Sequence, residues 1–103
     1  MNARCLAVIA ALSVSTTAAG DGEVLFKQHN CSACHAVASK SVGPALIDIA
    51  ARYRGDKGAQ ARMEGKTRNG GAGSFGSMPM PATARSVSDA DIRTMVAWIL
   101  NQK

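Results

Sequence analysis

Large aromatic side chains are scarce in this 103-residue chain: Phe26, Tyr53, Phe75 and Trp98 are all it has. A chain of this length buries only a modest core, so some other apolar body must complete the interior. Strand-like alternation of useful length is missing, and so are internal repeats, which leaves helices as the regular element. No apolar run reaches the roughly 20 residues that cross a bilayer. Acids are in deficit, with Asp+Glu 7 against Lys+Arg 12 and a net charge of +5. The basic residues are not interleaved with aromatics, and that argues against nucleic acid as a partner.

What is present begins with an export pattern. Arg4 supplies a short positive start, Cys5 to Val14 an apolar stretch, and Thr17-Ala18-Ala19 the small residues that a signal peptidase reads. The pattern predicts a signal peptide over 1–19, cut after Ala19 or, one residue later, after Gly20, and a single domain over 20–103. A membrane anchor is the competing reading, and the apolar stretch is short for one. Cys5 is discarded with the leader, and the net charge falls from +5 to +4 with Arg4.

The remaining chain reads as helices joined by Gly, Pro and Ser loops. A first helix is predicted from Glu23 to about Asn30, with Val24, Leu25 and Phe26 on its apolar side, running into the residues that follow. Leu46, Ile49, Ala50 and Tyr53 recur at helical spacing over 45–53. Gly55-Asp56-Lys57-Gly58 ends that segment, and a weakly apolar helix follows over 59–68. The glycine-rich stretch 69–74 is loop, and 75–85 stays irregular around Pro79 and Pro81. Ser88, Asp89 and Asp91 cap a last helix, whose Ile92, Met95, Val96, Ile99 and Leu100 form one stripe flanked by Trp98. Six basic residues fall between Arg52 and Arg68, read mainly as a solvated surface and otherwise as a weak docking face for an acidic partner.

The chemistry lies in Cys31-Ser32-Ala33-Cys34-His35. C-x-x-C-H is the attachment signature for haem c. Two thiols about one helical turn apart can bond neighbouring vinyl groups of one porphyrin, and the histidine that follows can bind its iron. The Nδ1–H of His35 then needs an acceptor to fix tautomer and ring plane; the Pro44 carbonyl in Val42-Gly43-Pro44 is the candidate. A thioredoxin-like dithiol would need a βαβ pattern, which is missing. A zinc site would need a second ligand pair, which His29 alone does not complete. Met78-Pro79-Met80-Pro81 offers a thioether as the other axial ligand, held by stiff prolines. Met78 and Met80 are both open at this point; Met63 and Met95 read as core, and His29 as a weaker ligand. A covalent porphyrin would also be the apolar body that the sparse core requires.

These residues resemble the small bacterial class I cytochromes c of the cytochrome c-551 (c8) type. The resemblance runs from Glu23 to Lys103. It rests on Val24-Leu25-Phe26-Lys27, Cys31–His35 followed by Ala36, Val42-Gly43-Pro44-Ala45, Asn69-Gly70, Pro79-Met80-Pro81, and Val87-Ser88-Asp89 leading to Trp98. Cytochromes c′ carry the haem motif near the C-terminus instead. The resemblance implies an all-α fold of four to five helices wrapped around one covalent haem, with Phe26 and Trp98 packed where the terminal helices cross. It selects Met80 over Met78 as iron ligand beside His35, matches Pro44 to the proline whose carbonyl accepts from that histidine, and sets Lys66 near a haem propionate. Phe75 stands where the family commonly has Trp, Thr83 where close relatives have Asn, and the loop between Met80 and Val87 is longer. Those departures affect haem tuning rather than attachment.

The function this implies is one-electron transport in the periplasm by a monomeric haem carrier that is not an enzyme and, once mature, does not span a membrane. Nitrite reductase, a terminal oxidase, a peroxidase, a sulfur-oxidising system or a cytochrome bc1-type donor would suit a basic shuttle, with Lys27 and Lys40 as rim charges. The competing classes are a haem enzyme or gas sensor with a labile sixth ligand, and a fixed subunit of a larger electron-transfer complex.

Overall fold

The helix at the C-terminal end organises the molecule, because its apolar stripe is the longest in the chain. A computed structural model describes residues 5–11 and 19–103. Within them lie α1 (Ala19–Gln28), a 3-10 turn (Cys31–Ala33), α2 (Leu46–Arg52), α3 (Ala59–Asn69) and α4 (Asp89–Leu100). Helix α4 packs against each of the other three. Ile92, Met95 and Val96 are its fully buried positions, and they meet Phe26 of α1, Leu46 and Ile49 of α2, and Val87. The start of α4 is built as its sequence predicts. Ser88 Oγ accepts from the Asp91 N–H at 3.1 Å, and Asp89 and Asp91 lie in the first turn, where the helix dipole favours acids.

Helix α1 approaches α4 through a glycine. A Cβ on Gly22 would lie 2.2 Å from Trp98 Cβ, so no other residue lets the backbones come this close. One turn later the Phe26 and Trp98 rings meet at 5.2 Å, tilted by 52°. Two expectations for α1 need correction. Val24 is 61% exposed and does not share the apolar side; at about 100° per residue it points away from the face that Gly22, Leu25 and Phe26 present. The helix also stops at Gln28 instead of running into the cysteine motif. Asn30 takes a left-handed conformation (φ 61°), tolerated by asparagine, and that bend feeds the chain into the 3-10 turn.

The other helices follow their predicted bounds, with Ala45 and Tyr53 serving as caps of α2. Residues 75–85 are irregular apart from an isolated antiparallel bridge that joins Met80 to Gly71. Among the described residues no helix is long and apolar enough to cross a membrane. Residues 5–11 are exposed and without regular structure, and Ala19, the last residue of the expected leader, opens α1; residues 1–4 and 12–18, including the Thr17-Ala18 part of the cleavage pattern, lie outside the described residues.

Candidate functional site

The helices enclose a cavity of about 840 Å³. Protein interiors are close-packed, and voids much larger than a water molecule are rare. This volume instead falls in the ~300–1,000 Å³ range of ligand pockets. Its walls are apolar where Phe26, Leu46, Ile49, Met95, Val96 and Ile99 face it. Cys31, Cys34, His35, Pro44, Lys66, Met78 and Met80 all line it as well. The residues singled out as chemistry-bearing from sequence thus share one cavity, although they come from four separate stretches of chain.

The 3-10 turn positions the first group. Cys34 N–H and His35 N–H both donate to the Cys31 carbonyl, at 3.2 and 3.1 Å, so the motif closes on itself. Both thiols are free. Burial pushes the Cys31 thiol above its ordinary pKa; repulsion from Cys34 adds to this, and a backbone hydrogen bond opposes it. His35 is oriented from outside the motif. Its Nδ1 lies 2.9 Å from the Pro44 carbonyl oxygen. A carbonyl only accepts, so Nδ1 carries the proton and the neutral ring keeps its lone pair on Nε2. Gly43 closes against the same ring: a Cβ there would stand 2.5 Å from His35 Cε1. Gly43 N–H donates to the Cys34 carbonyl at 2.7 Å, which ties the two segments together.

Met80 is held by its backbone. Its N–H donates to the Gly71 carbonyl at 2.8 Å and its carbonyl accepts from Gly71 N–H at 2.9 Å. Gly70 permits the contact: it has φ 69°, and a Cβ on it would lie 2.4 Å from the Met80 carbonyl oxygen. Thr83 fastens the far side of the loop, donating from Oγ1 to the Thr67 carbonyl at 2.6 Å. Met78 lacks such anchors and is 65% exposed. His29 does not line the cavity; its Nε2 sits 3.1 Å from Asp91 Oδ2 and links the end of α1 to α4. Met63 and Met95, read as core, border the cavity too.

The structural roles of Gly43, Gly70 and Gly71 were not deduced from sequence, although the V-G-P and N-G-G strings that contain them were visible. Half of the basic cluster has structural work. Arg62 pairs with Asp56, and Arg52 donates to the Ser74 carbonyl. Arg68, only 18% exposed, donates to the Ala84 and Val87 carbonyls and to Asp89.

The family model described as Cytochrome c matches residues 19–103. The chain belongs to the cytochrome c family. Within it, cytochrome c-551 of Pseudomonas aeruginosa is 47% identical over 85 residues, covering 82% of this chain and 80% of that one. Cytochrome c-552 of Nitrosomonas europaea is 45% identical over 93 residues, covering 90% and 88%. The crystal structure of wild-type Nitrosomonas europaea cytochrome c552 superposes with a TM-score of 0.74 at 46% identity, over 79% of this chain and 99% of that one. These similarities make it a class I cytochrome c of the c-551/c-552 type, with the all-helical fold that the motifs implied. Membership implies a covalent haem c. The cavity suits such a group: paired thiols, an imidazole with a set tautomer, thioethers, apolar walls and two lysines meet around it.

Proposed function

We propose that this cytochrome c is a periplasmic one-electron carrier in which His35 and Met80 would bind the iron of a single haem. The haem iron, when bound, supplies a one-electron Fe(III)/Fe(II) couple. Cys31 and Cys34 hold the group covalently. His35 binds through Nε2 while the Pro44 carbonyl fixes its plane and increases its basicity. Met80 supplies a soft thioether, which raises the reduction potential. Lys66 would supply a cation for the propionates, and the apolar walls would exclude water. The observation that carries the reading is that His35 and Met80 line one cavity, with the His35 ring held by Pro44 O at 2.9 Å and the Met80 backbone held by the paired bonds to Gly71. Such rigidity suits an electron carrier, since fixed ligands keep reorganisation small.

Residues 1–19 act as the export signal in this proposal. Docking is brief and partly electrostatic, as redox encounters are; the partner is a respiratory protein such as a nitrite reductase or a bc1-type donor. Lys40 borders the cavity, whereas Lys27 is engaged by Glu23 at 3.0 Å.

The test is the visible spectrum of protein expressed with its leader. A sharp low-spin ferrous spectrum, a methionine-to-ferric charge-transfer band and indifference to carbon monoxide are expected. Met80→Ala abolishes the band and Met78→Ala keeps it. A high-spin spectrum that shifts with carbon monoxide would establish an open iron site and displace the carrier reading.

A further inference from the structure

The segment from Gly71 to Met80 is a loop closed at its neck by the Gly71–Met80 bridge and turned at its tip by Gly73 N–H donating to the Gly76 carbonyl at 2.9 Å. Gly71, Gly73 and Gly76 all have positive φ. Glycines lose the most freedom on ordering, so such a loop needs a tether from outside. Among the described residues, one hydrogen bond ties residues 72–79 to the rest of the chain: Arg52 donates to the Ser74 carbonyl. The same guanidinium lies over the Phe75 ring, 3.9 Å from its centroid. Tyr53 meets that ring edge-on at 6.4 Å. Arg52 and Tyr53 stand at the end of α2, whose Leu46, Ile49 and Ala50 are buried in the core. The clasp is therefore mounted on a rigid element.

We infer that Arg52 is a positioning residue for Met80, a latch that keeps the methionine-bearing loop seated by stacking on Phe75 and bonding Ser74. This rests on the reading of Met80 as an axial ligand. Arg52 acts on the fraction of molecules in which the loop lifts and the sixth position opens. An exogenous ligand reports that fraction, because its apparent affinity scales with the population able to bind it.

The experiment titrates ferric holoprotein with imidazole and follows the visible spectrum. Arg52→Gln binds imidazole about thirtyfold more tightly than the wild type, the lower end of the combined worth of an exposed cation–π contact and one charge-assisted hydrogen bond. Arg52→Lys recovers most of the wild-type affinity by keeping a cation over the ring. Arg62→Gln, which loses the contact with Asp56 and touches no loop residue, is unchanged. Phe75→Leu removes the ring without touching α2 and shifts affinity in the same direction as Arg52→Gln, so the latch is tested even where an α2 variant folds poorly. If Met80→Ala abolishes the charge-transfer band while Arg52→Gln and Phe75→Leu both bind imidazole as the wild type does, the latch is wrong and the ligand reading stands. If Met80→Ala leaves the band in place, the ligand reading falls and the latch with it. Equal tightening by Arg62→Gln would also overturn the latch, since the effect would then be general destabilisation.

Discussion

Gly43→Ala tests the proximal side of the site, because two physical effects of that one methyl group have opposite signs. The backbone at Gly43 is outside the left-handed region. Alanine there would ordinarily stabilise the fold by about 0.4–1 kcal/mol, by reducing the freedom of the unfolded chain. The structure predicts the reverse. The added Cβ would stand 2.5 Å from His35 Cε1, 2.8 Å from Nδ1 and 3.0 Å from Nε2, where ordinary contact begins at 3.4 Å. The ring or the Gly43–Pro44 segment must move by nearly 1 Å to reach that distance. Either displacement stretches the 2.9 Å bond between Nδ1 and the Pro44 carbonyl beyond useful length. Overpacking costs about 1–3 kcal/mol, and a carbonyl left without its donor about 1–3 kcal/mol more. After the entropic gain, a net loss of about 1–5 kcal/mol remains. Guanidinium denaturation of the ferric holoprotein measures it. The potential supplies a second readout. A lost Nδ1–H bond makes the imidazole a weaker donor, which disfavours the ferric state, so the potential rises by tens of millivolts, about 59 mV for each 1.4 kcal/mol. A Gly43→Ala protein that is equally or more stable, with an unchanged potential, would refute the claim that Gly43 and Pro44 jointly hold the ring.

Three further outcomes are expected. Ser88→Ala removes the cap of α4 and lowers stability by about 1 kcal/mol, a drop in Tm of about 4–8 °C for a domain of this size; an unchanged melting curve would mean that the Asp91 N–H finds another acceptor. Arg68→Met keeps the aliphatic stem but loses the bonds to Ala84, Val87 and Asp89, costing about 2 kcal/mol; because two of those acceptors are backbone carbonyls, moderate salt should not erase the difference between the proteins. Replacing both Cys31 and Cys34 with Ala removes covalent attachment and leaves the mature chain largely unfolded by circular dichroism, and a well-folded haem-free double variant would show that the protein side chains alone complete the core.

The readings that succeeded from sequence depend on residues near one another in the chain. The stripe over 92–100 and the cap at Ser88 are local, so periodicity and composition sufficed for α4. The family signal in C-x-x-C-H is local as well, because both thiols and the histidine lie in one turn of backbone, and the chain belongs to the family it points to. Val24 misled because it sits between apolar neighbours, and only the helical phase set by Gly22 and Phe26 against Trp98 turns it outward. Asn30 likewise decides where α1 ends, through a left-handed bend that no periodicity reveals. Pro44 and Lys66 were named by reasoning about what a histidine or a haem requires and by family resemblance, not by any pattern in the residues themselves.

The sequence by itself determined that this chain is helical, that it carries a haem-attachment motif, and which family it resembles. Those properties follow from short-range spacing, which the backbone converts directly into a helix face or a turn. Only the tertiary structure decided how the rest of the site is held: Gly43 against the His35 ring, the Gly71 bridge on Met80, Thr83 on the end of α3, and Arg52 over Phe75. Each of these joins residues from different segments, and their partners are chosen by where packing around α4 brings the segments together. A hydrogen-bond donor or an aromatic face has no partner until the core has set its position.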